Sequence, residues 1–353
     1  MYEILRPFLF RRDAEDAHHA ALRALRLAGR SSLASTALRA LFELEDPRLE
    51  VEAFGLRFKN PIGLAAGYDK NADAVAGLEC LGFGHLEVGT VTLRAQPGNE
   101  RPRVFRLIED RAVINRMGLP SRGIDALGPI RPNRARIGIN IGKGRDTPPE
   151  RAAAEYGDLL RRAHGKSDYV AINVSSPNTP GLRALQSRAA FEELLGELTS
   201  VRSTLSPYVP ILVKVAPDLT LEELDAIVEV ILAKGIDGVI ATNTSTNREG
   251  LREKTTEMGG LSGRPLATRS NELIAHIARV TKGRLPIIGV GGVFGPEDAL
   301  EKLRSGAWLV QLFTGLVFEG PGLPKRILEG LLDAIEESGV SSPVGLRGTP
   351  GWA

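Results

Sequence analysis

Eight short apolar runs recur along the chain from about residue 55 onward, and they constrain the fold more than any other feature. They occupy 62–67, 84–90, 136–141, 168–174, 209–215, 237–242, 285–290 and 307–313. Near-continuous apolar runs of this length are typical of parallel strands covered on both faces. Amphipathic helical patterns separate several of them, including 190–204 and 220–234, and Thr220 with Glu223 predicts a capping box at the start of the second helix. Eight strand–helix units over about 280 residues predict an α/β fold, a (β/α)8 TIM barrel.

A doubly wound parallel sheet is the alternative fold. It is disfavoured because no Gly-rich dinucleotide turn follows the first run. The connection between the second and third runs, roughly 91–135, is long and contains PGNERPRVFRL and INRMGLP. Long connections at the carboxyl ends of barrel strands carry substrate loops, so this segment is a candidate substrate loop.

Residues 1–45 have a different pattern and predict a small N-terminal helical domain ahead of a barrel domain at 46–353. Gly29, followed by Ser31 and Ser32, predicts a break between helices. Three helical faces are apolar: Ile4, Leu5, Phe8 and Leu9; Leu22 and Leu25; and Leu33, Ala37, Leu41 and Leu44. Two interpretations stay open, a helical cap over one end of the barrel and a hydrophobic surface that touches lipid.

Charge and composition exclude several classes of protein. The formal net charge is +2 and the charges are interspersed, which argues against nucleic-acid binding. The histidines show no ligand spacing with cysteines or carboxylates, so no metal site is predicted. No run of 18 apolar residues or signal-peptide core is present. Cys80 is the only cysteine, which indicates a reducing compartment and a small buried side chain.

Functional groups of a barrel gather at the carboxyl ends of its strands. In this chain those ends supply amides, hydroxyls and two lysines, but no histidine and few acids: Lys70, Thr90, Asn140, Asn173, Lys214, Asn243, Thr244, Gly291, Gly292, Thr314 and Gly315. This set suits a polar heterocycle and an anion. It does not suit a Ser–His–Asp hydrolase or a glycosidase with two carboxylates.

The last two runs end in GVGG (289–292) and FTG (313–315). Barrels often bind phosphate with the loops after strands seven and eight, where glycines let the backbone approach the oxygens. A tight turn without a ligand is the alternative for GVGG alone, and the two motifs together favour phosphate.

Lys214 lies inside an apolar run, VKVAPD, so its ammonium needs an acceptor or a ligand. Three roles stay open, a partner for a flavin ring on which negative charge develops, a Schiff-base lysine, and a structural ion pair. Lys70, Asn115 and Arg116 could bind a carboxylate and a ring amide. Taken singly, each of these three is more often a solvated surface residue.

Eleven segments in order together resemble class 2 dihydroorotate dehydrogenase, from the first helices to about residue 330. They are GLAAGYDKNAD, EVGTVT, QPGNERPRVFRL, INRMG, GINIGK, INVSSPNTPGLR, VKVAPDL, GVIATNT, GGLSGRPL, PIIGVGG and LVQLFTG. The resemblance implies an FMN-containing barrel with N-terminal helices that admit a quinone. It also implies oxidation of dihydroorotate to orotate in pyrimidine (UMP) biosynthesis, with a membrane quinone as the final electron acceptor.

The resemblance assigns roles by motif. In class 2 of the family the catalytic base is a serine, and the matching residue here is Ser176. Thr179 would be its partner in a proton relay through a water. Class 1 uses a cysteine as the base, and Cys80 lies in an unrelated segment. The implied substrate site comprises Lys70, Asn115, Arg116, Met117, Gly118, Leu119, Asn173, Asn178, Asn243 and Thr244. The implied FMN site comprises Ala66, Gly67, Tyr68, Asp69, Lys70, Thr90, Asn140, Asn173, Lys214, Thr242, Gly263, Gly292, Phe313 and Thr314. His18, Arg106 and Phe313 would line the quinone path.

The resemblance also implies one non-covalent FMN per chain, a monomer, and attachment to a membrane surface through the N-terminal helices. In a bacterium this surface would be the cytoplasmic face of the inner membrane. One position departs from the family, since Leu119 stands where phenylalanine is common. Two other hypotheses stay open, a lyase that uses Lys214 as a Schiff base and an inert flavin-binding module.

Overall fold

The computed structural model, which describes residues 2–130 and 134–348, places all eight apolar runs in one closed parallel barrel. A hairpin, β1 (Val51–Ala53) and β2 (Leu56–Phe58), precedes it. The barrel strands are β3 (Ile62–Leu64), β4 (His85–Val91), β7 (Arg136–Ile141), β8 (Tyr169–Asn173), β9 (Ile211–Val215), β10 (Gly238–Ala241), β12 (Ile287–Val290) and β13 (Leu309–Leu312). The barrel prediction is confirmed and the doubly wound alternative is wrong.

Within the described ranges, an α-helix follows every barrel strand except β4, and these helices cover the outside of the barrel. They are α4 (Val75–Glu79), α5 (Ala152–Ala163), α6 (Arg188–Ser203), α7 (Leu221–Ala233), α8 (Ala267–Val280), α9 (Pro296–Arg304), α10 (Thr314–Glu319) and α11 (Leu323–Ser338). The helices predicted at 190–204 and 220–234 are α6 and α7. The Thr220–Glu223 capping box is present, with Glu223 N donating to Thr220 Oγ1 over 3.2 Å and Thr220 N donating to Glu223 over 2.9 Å.

The long connection after β4 forms a sheet of its own. Strands β5 (Val104–Leu107) and β6 (Ala112–Asn115) form a hairpin, and β11 (Gly260–Gly263) pairs with β6 in antiparallel fashion. This three-stranded sheet joins the loop after β4 to the loop after β10. The sequence predicted a substrate loop here and did not predict the sheet.

Three helices precede the barrel, α1 (Tyr2–Phe10), α2 (Ala14–Arg30) and α3 (Ser32–Phe42). Asp13 caps α2, since its carboxylate accepts from the backbone N–H groups of Glu15 and Asp16. Ser31 caps α3 through Ala34 N, so the predicted break between helices is confirmed.

Helix α2 contacts α4 backbone to backbone. A Cβ atom added to Gly77 would lie 2.0 Å from the Leu25 carbonyl oxygen, and one added to Gly29 would lie 2.5 Å from the Gly77 nitrogen. Only glycine fits at either position, because any side chain would force the two helices apart. At the other end of this segment, the Tyr2 hydroxyl donates to the Val317 carbonyl over 2.6 Å. The N-terminal helices are therefore fixed directly to the barrel.

These helices also expose large apolar side chains, with Ile4, Leu5, Phe8, Leu27, Leu33 and Leu41 between 53% and 81% exposed. Leu22 and Leu25, in contrast, pack against the barrel core. The second predicted apolar face is thus partly buried against the barrel, whereas most side chains of the first and third apolar faces are exposed to solvent. Within the described residues, no helix has both the length and the apolar character needed to cross a bilayer.

Candidate active site

A cavity of about 550 Å³ lies between the N-terminal helices and the carboxyl ends of the barrel strands. Its walls come from α1, α2, the three-stranded sheet and the loops that follow the barrel strands. Most predicted site residues line it: His18, Ala66, Gly67, Tyr68, Lys70, Thr90, Arg106, Asn115, Met117, Gly118, Leu119, Asn173, Ser176, Asn178, Lys214, Thr242, Asn243, Thr244, Gly263, Gly292, Phe313 and Thr314. Residues more than 200 positions apart in sequence therefore share one site.

Four predicted residues do not line the cavity: Asp69, Arg116, Asn140 and Thr179. Asp69 accepts hydrogen bonds of 2.8 Å from the N–H groups of Asp73 and Ala74, so it holds the turn before α4. Arg116 points away from the site, where it pairs with Glu257 and lies 4.6 Å from the centre of the Phe105 ring. The structure thus gives Asp69 and Arg116 structural partners outside the cavity.

An unbroken series of side-chain hydrogen bonds runs across the floor of the cavity. Asn140 accepts from the Thr90 hydroxyl over 2.6 Å, and Asn173 donates to the same hydroxyl over 2.8 Å. Asn243 donates to Asn173 Oδ1 over 3.1 Å. Asn140 lies one layer below the cavity and orients Thr90 from there. The amides that the sequence placed at separate strand ends therefore form one network.

The two adjacent serines after β8 have different surroundings. Ser175 is fully buried, and its hydroxyl accepts from Asn243 Nδ2 over 2.9 Å. Ser176 lines the cavity, and its hydroxyl accepts from the Asn178 N–H over 3.3 Å. Of the two hydroxyls, only that of Ser176 faces the space where a substrate would bind. Cys80 is buried at the end of α4, away from the cavity.

The hydroxyl of Thr179 is buried and has no hydrogen-bond partner among the described residues. A buried hydroxyl without a partner is costly, and a water bound beside it would satisfy it. Asn178, one residue earlier, donates to the Asn115 carbonyl over 3.0 Å and so ties this loop to β6.

Lys214 lies at the end of β9 and is 6% exposed. Burial lowers the pKa of its ammonium, and the negative charge of Glu87 opposes that shift. Among the described residues, no hydrogen bond or ion pair holds the Lys214 ammonium. Its amino group therefore lines the cavity without a hydrogen-bond partner from the described residues, so a bound ligand can supply one.

A buried polar layer lies below Lys214 inside the barrel, and two of its members, Glu87 and Gln311, were missed from the sequence. Glu87 accepts from Asn140 over 2.8 Å and from Gln311 over 2.9 Å. Gln311 also lines the cavity, and its Oε1 atom is buried without a partner. A polar residue inside the apolar run AWLVQLF is the same signal that singled out Lys214, so Gln311 was detectable.

Glycines and a helix start form the far wall of the cavity. Gly292 has φ +74°, and a Cβ atom there would lie 2.4 Å from the Ala267 Cβ. The turn at Gly292 therefore has no space for a side chain, and its backbone amides are exposed to the cavity. Gly263, Thr314 and Gly315 stand beside it, and the first amide groups of α10 lack intrahelical acceptors. This wall suits an anion with several oxygens.

The opposite arm of the cavity runs between α1, α2 and the barrel. His18 packs edge-on against Tyr68 with 4.8 Å between ring centres, and burial lowers the pKa of His18 to about 3, so its imidazole is neutral. Phe313 packs edge-on against the other side of Tyr68 at 5.5 Å. Arg106 donates to the carbonyls of Phe10 and Arg12, which anchors it to the end of α1.

The comparison with known proteins decides the family. The sequence model of the family described as dihydroorotate dehydrogenase matches residues 48–335. This chain belongs to the dihydroorotate dehydrogenase family. Its relatives include the dihydroorotate dehydrogenase (quinone) of Roseiflexus sp. (strain RS-1), 49% identical over 347 residues, which are 97% of this chain and 96% of the relative.

Further comparisons agree on the quinone-dependent class. The dihydroorotate dehydrogenase (quinone) of Gloeobacter violaceus is 50% identical and that of Thermus thermophilus is 48% identical, each over 96% of this chain and 96% and 99% of the relatives. A crystal structure of dihydroorotate dehydrogenase from Eimeria tenella, in complex with ferulenol, has a TM-score of 0.83 and 36% identity over 90% of this chain and 95% of that one. The chain is accordingly an oxidoreductase of the quinone-dependent dihydroorotate dehydrogenase class, a family that implies a flavin cofactor.

Proposed function

We propose that this chain oxidises (S)-dihydroorotate to orotate in pyrimidine biosynthesis, with one non-covalent FMN as hydride acceptor and a membrane quinone as final acceptor. One observation carries the proposal. A single cavity joins a polar end with Ser176 and several asparagines, a glycine-lined wall, and an apolar arm between the N-terminal helices and the barrel. Substrate, cofactor and quinone each need one of these three environments.

The residues of the cavity fit FMN. Gly263, Gly292 and Thr314 offer backbone amides and a hydroxyl to a phosphate, and unpaired Lys214 offers a positive charge to the isoalloxazine ring. When bound, FMN accepts a hydride and later passes electrons on. Thr90, Asn173 and Thr242 would bind the ring edge, with Asn140 orienting Thr90 from below. Ala66, Gly67, Tyr68, Lys70 and Phe313 would complete the contact surface, and Asp69 supports it by holding its turn.

The substrate would lie at the polar end of the cavity. Asn115, Asn178 and Asn243, with Asn173 and Thr244, would bind the pyrimidine ring, and Lys70 would bind its carboxylate. Met117, Gly118 and Leu119 would enclose the ring. Ser176 takes a proton from C5 of the substrate, and the hydroxyl must release its own proton at the same time. The unpartnered Thr179 hydroxyl supports a relay through a bound water.

The N-terminal domain, 1–45, would admit quinone from a membrane surface. Its apolar cavity arm past His18 and Phe313, and the exposed apolar side chains of α1–α3, support this role. Arg106 and His18 would hydrogen-bond a quinone carbonyl. The barrel domain, 46–353, carries the chemistry. In a bacterium the chain would act as a monomer on the cytoplasmic face of the inner membrane.

The proposed function is tested on the purified protein. The absorbance spectrum is expected to show bound flavin, dihydroorotate is expected to bleach it without oxygen, and a quinone is expected to restore it. FMN is identified by releasing the cofactor and measuring its mass. A colourless protein, or a flavin that dihydroorotate does not bleach, would overturn the proposal.

The cavity arm predicts a variant that separates the two half-reactions. Small side chains of α2 face this arm, namely Ala14, Ala17, Ala21 and Ala24. Replacing Ala21 by tryptophan fills the arm, so we expect turnover with a long-tailed quinone to fall at least about tenfold, a loss of about 1.4 kcal/mol in transition-state stabilisation. Flavin bleaching by dihydroorotate should stay within about twofold, since it occurs at the other end.

Both rates of the Ala21→Trp variant are normalised to bound flavin. Leu27→Trp is the matched control, because Leu27 lies on the same helix and is 66% exposed to solvent. Equal losses in the two half-reactions, or none, would contradict the assignment of the arm to quinone.

Lys70 predicts a pH dependence of substrate binding. Burial lowers the pKa of Lys70 to about 8, and Glu15 opposes that shift. The ammonium is charged below that pH and loses its proton as the pH rises through it. We therefore expect affinity for dihydroorotate to be constant below about pH 8 and then to fall by up to tenfold per pH unit. Equilibrium titration in the slow Ser176→Ala background measures it. In the Lys70→Arg control the affinity should no longer decrease above that pH. If the decrease persists in this variant, a group other than Lys70 causes it.

A further inference from the structure

Arg183 follows the segment that contains Ser176, and its guanidinium donates to three different loops. Nε donates to the Ser175 carbonyl over 3.1 Å, in the loop after β8. Nη1 donates to Asp218 Oδ2 over 2.8 Å, in the loop after β9. Nη2 donates to the Thr244 carbonyl over 3.2 Å, in the loop after β10. One side chain therefore connects three neighbouring strand ends of the site.

Asp218, the anionic partner of Arg183, is itself held firmly. It accepts from the Ser245 hydroxyl and, over 3.0 Å and 3.1 Å, from the N–H and hydroxyl groups of Thr246. Burial raises the pKa of Asp218, but the hydrogen bonds from Ser245, Thr246 and Arg183 outweigh burial and keep that pKa below its usual value. The carboxylate thus stays charged and fixes the guanidinium from the side opposite Ser175.

Two side chains hold Ser175, one at its backbone and one at its hydroxyl. Arg183 binds its carbonyl, and Asn243 binds its hydroxyl over 2.9 Å. The next residue is Ser176, whose hydroxyl faces the cavity. No helix or strand covers 174–182, so regular backbone hydrogen bonds do not hold this stretch. The position of the Ser176 hydroxyl therefore depends on these side-chain contacts.

We propose that Arg183, held by Asp218, is a positioning residue that sets the Ser176 hydroxyl against the groups of the β10 loop, Asn243 and Thr244. The inference rests on the proposed function, because it gives Arg183 its role through the base. Arg183 does not line the cavity and so does not touch the substrate. A planar guanidinium donates in three directions at once, whereas the ammonium of lysine is a compact charge at the end of a flexible chain.

The test uses the flavin-loaded enzyme and stopped-flow bleaching. Because misplacing a catalytic group by about 1 Å costs on the order of 10²-fold, we expect Arg183→Lys to slow the limiting bleaching rate by about 10- to 100-fold. Asp218→Asn should slow it in the same direction but less. The dissociation constant for dihydroorotate and the rate of reoxidation by quinone should change by less than about threefold. A lost rate with intact binding separates positioning from loss of substrate affinity.

Chemical rescue distinguishes a positioning role of Arg183 from a purely structural one. In Arg183→Ala, added guanidinium at millimolar concentration should restore part of the bleaching rate, because it can occupy the vacated site between Ser175 and Asp218. The matched control is Arg188→Ala, since Arg188 lies five residues later and pairs with Glu192 and Glu229 at the surface. That variant should bleach at the wild-type rate, with and without guanidinium.

The outcomes are distinct. Wild-type enzyme that dihydroorotate fails to bleach would sink the proposed function and this inference together. If dihydroorotate bleaches the wild-type enzyme, and Arg183→Lys and Asp218→Asn bleach as fast as Arg188→Ala, the proposed function stands and the positioning role is overturned. Parallel losses of bleaching, reoxidation and bound flavin would also overturn it, since they indicate general destabilisation. If Arg183→Ala does not fold, Arg183→Lys and Asp218→Asn decide alone.

Discussion

Replacing Ser176 by alanine should slow flavin bleaching by dihydroorotate by about 10²–10⁴-fold, the usual contribution of a positioned general base. FMN should stay bound, because the residues proposed to hold its phosphate lie on the far wall of the cavity, at Gly263, Gly292 and Thr314. The substitution removes one oxygen atom and leaves the backbone contacts of the loop in place. Stopped-flow absorbance of the flavin gives the rate, and released flavin gives the occupancy.

Ser175→Ala is the matched control for this prediction. The Ser175 hydroxyl is fully buried and accepts from Asn243, so its loss should disturb one hydrogen bond of the network and cost far less rate than Ser176→Ala. If Ser175→Ala were the slower variant, the assignment of the base to Ser176 would be wrong by one residue. Solvent deuterium should slow the wild-type reaction more than the residual reaction of Ser176→Ala.

Replacing Lys214 by alanine should either release FMN or slow its reduction by about 10²–10³-fold, the usual cost of removing one group that stabilises developing charge. The reason is that no hydrogen bond or ion pair among the described residues holds this amino group, although the charge of Glu87 acts on it from below. A buried lysine without a ligand is unfavourable, and the negative charge on reduced flavin would be its counter-ion. Flavin content and bleaching rate measure the two effects separately.

Lys143→Ala is the matched control, because Lys143 is also buried but donates to the carbonyls of Gly144 and Thr147 outside the cavity. It should lower the melting temperature and leave the bleaching rate per bound flavin unchanged. Borohydride with substrate present should trap no adduct on wild-type enzyme. A trapped adduct on Lys214 would favour the Schiff-base lyase instead.

The barrel was predictable because its strands carry a strong local signal. Each of the eight runs is covered on both faces, so each is apolar at nearly every position and stands out from its surroundings. Thr220 with Glu223 likewise fixed the start of α7 through contacts within four residues. Such features depend only on neighbours in sequence.

The pairing of β11 with β6 was not predictable for the opposite reason. Asn115 pairs with Gly260, and nothing near either residue specifies a partner about 145 positions away. The β1–β2 hairpin was missed because Phe54 stands in its turn at φ +55°, where glycine or asparagine is usual. Pairing of distant segments is a property of the folded molecule.

The same distinction holds for the site. Asn173 and Lys214 lie at the carboxyl ends of barrel strands, and that position alone was enough to predict that they belong to the site. Arg116 carries a matching motif, but Glu257 and Phe105 hold it outside the cavity, and neither contact is local. Gln311 and Glu87 were missed although both interrupt apolar runs. Both residues lie inside their strands, whereas the site was predicted from residues at the carboxyl ends.

The contact between Gly29 and Gly77 fixes the distance between α2 and α4, and α2 also forms one wall of the cavity arm. Because main chain meets main chain at this contact, the distance does not change when side chains change rotamer. An inhibitor wider than this arm has to displace α2 from α4. That displacement would also remove the packing of Leu22 and Leu25 against the barrel core. Among compounds that enter this arm, the width of the molecule should therefore affect binding more than its polar groups do.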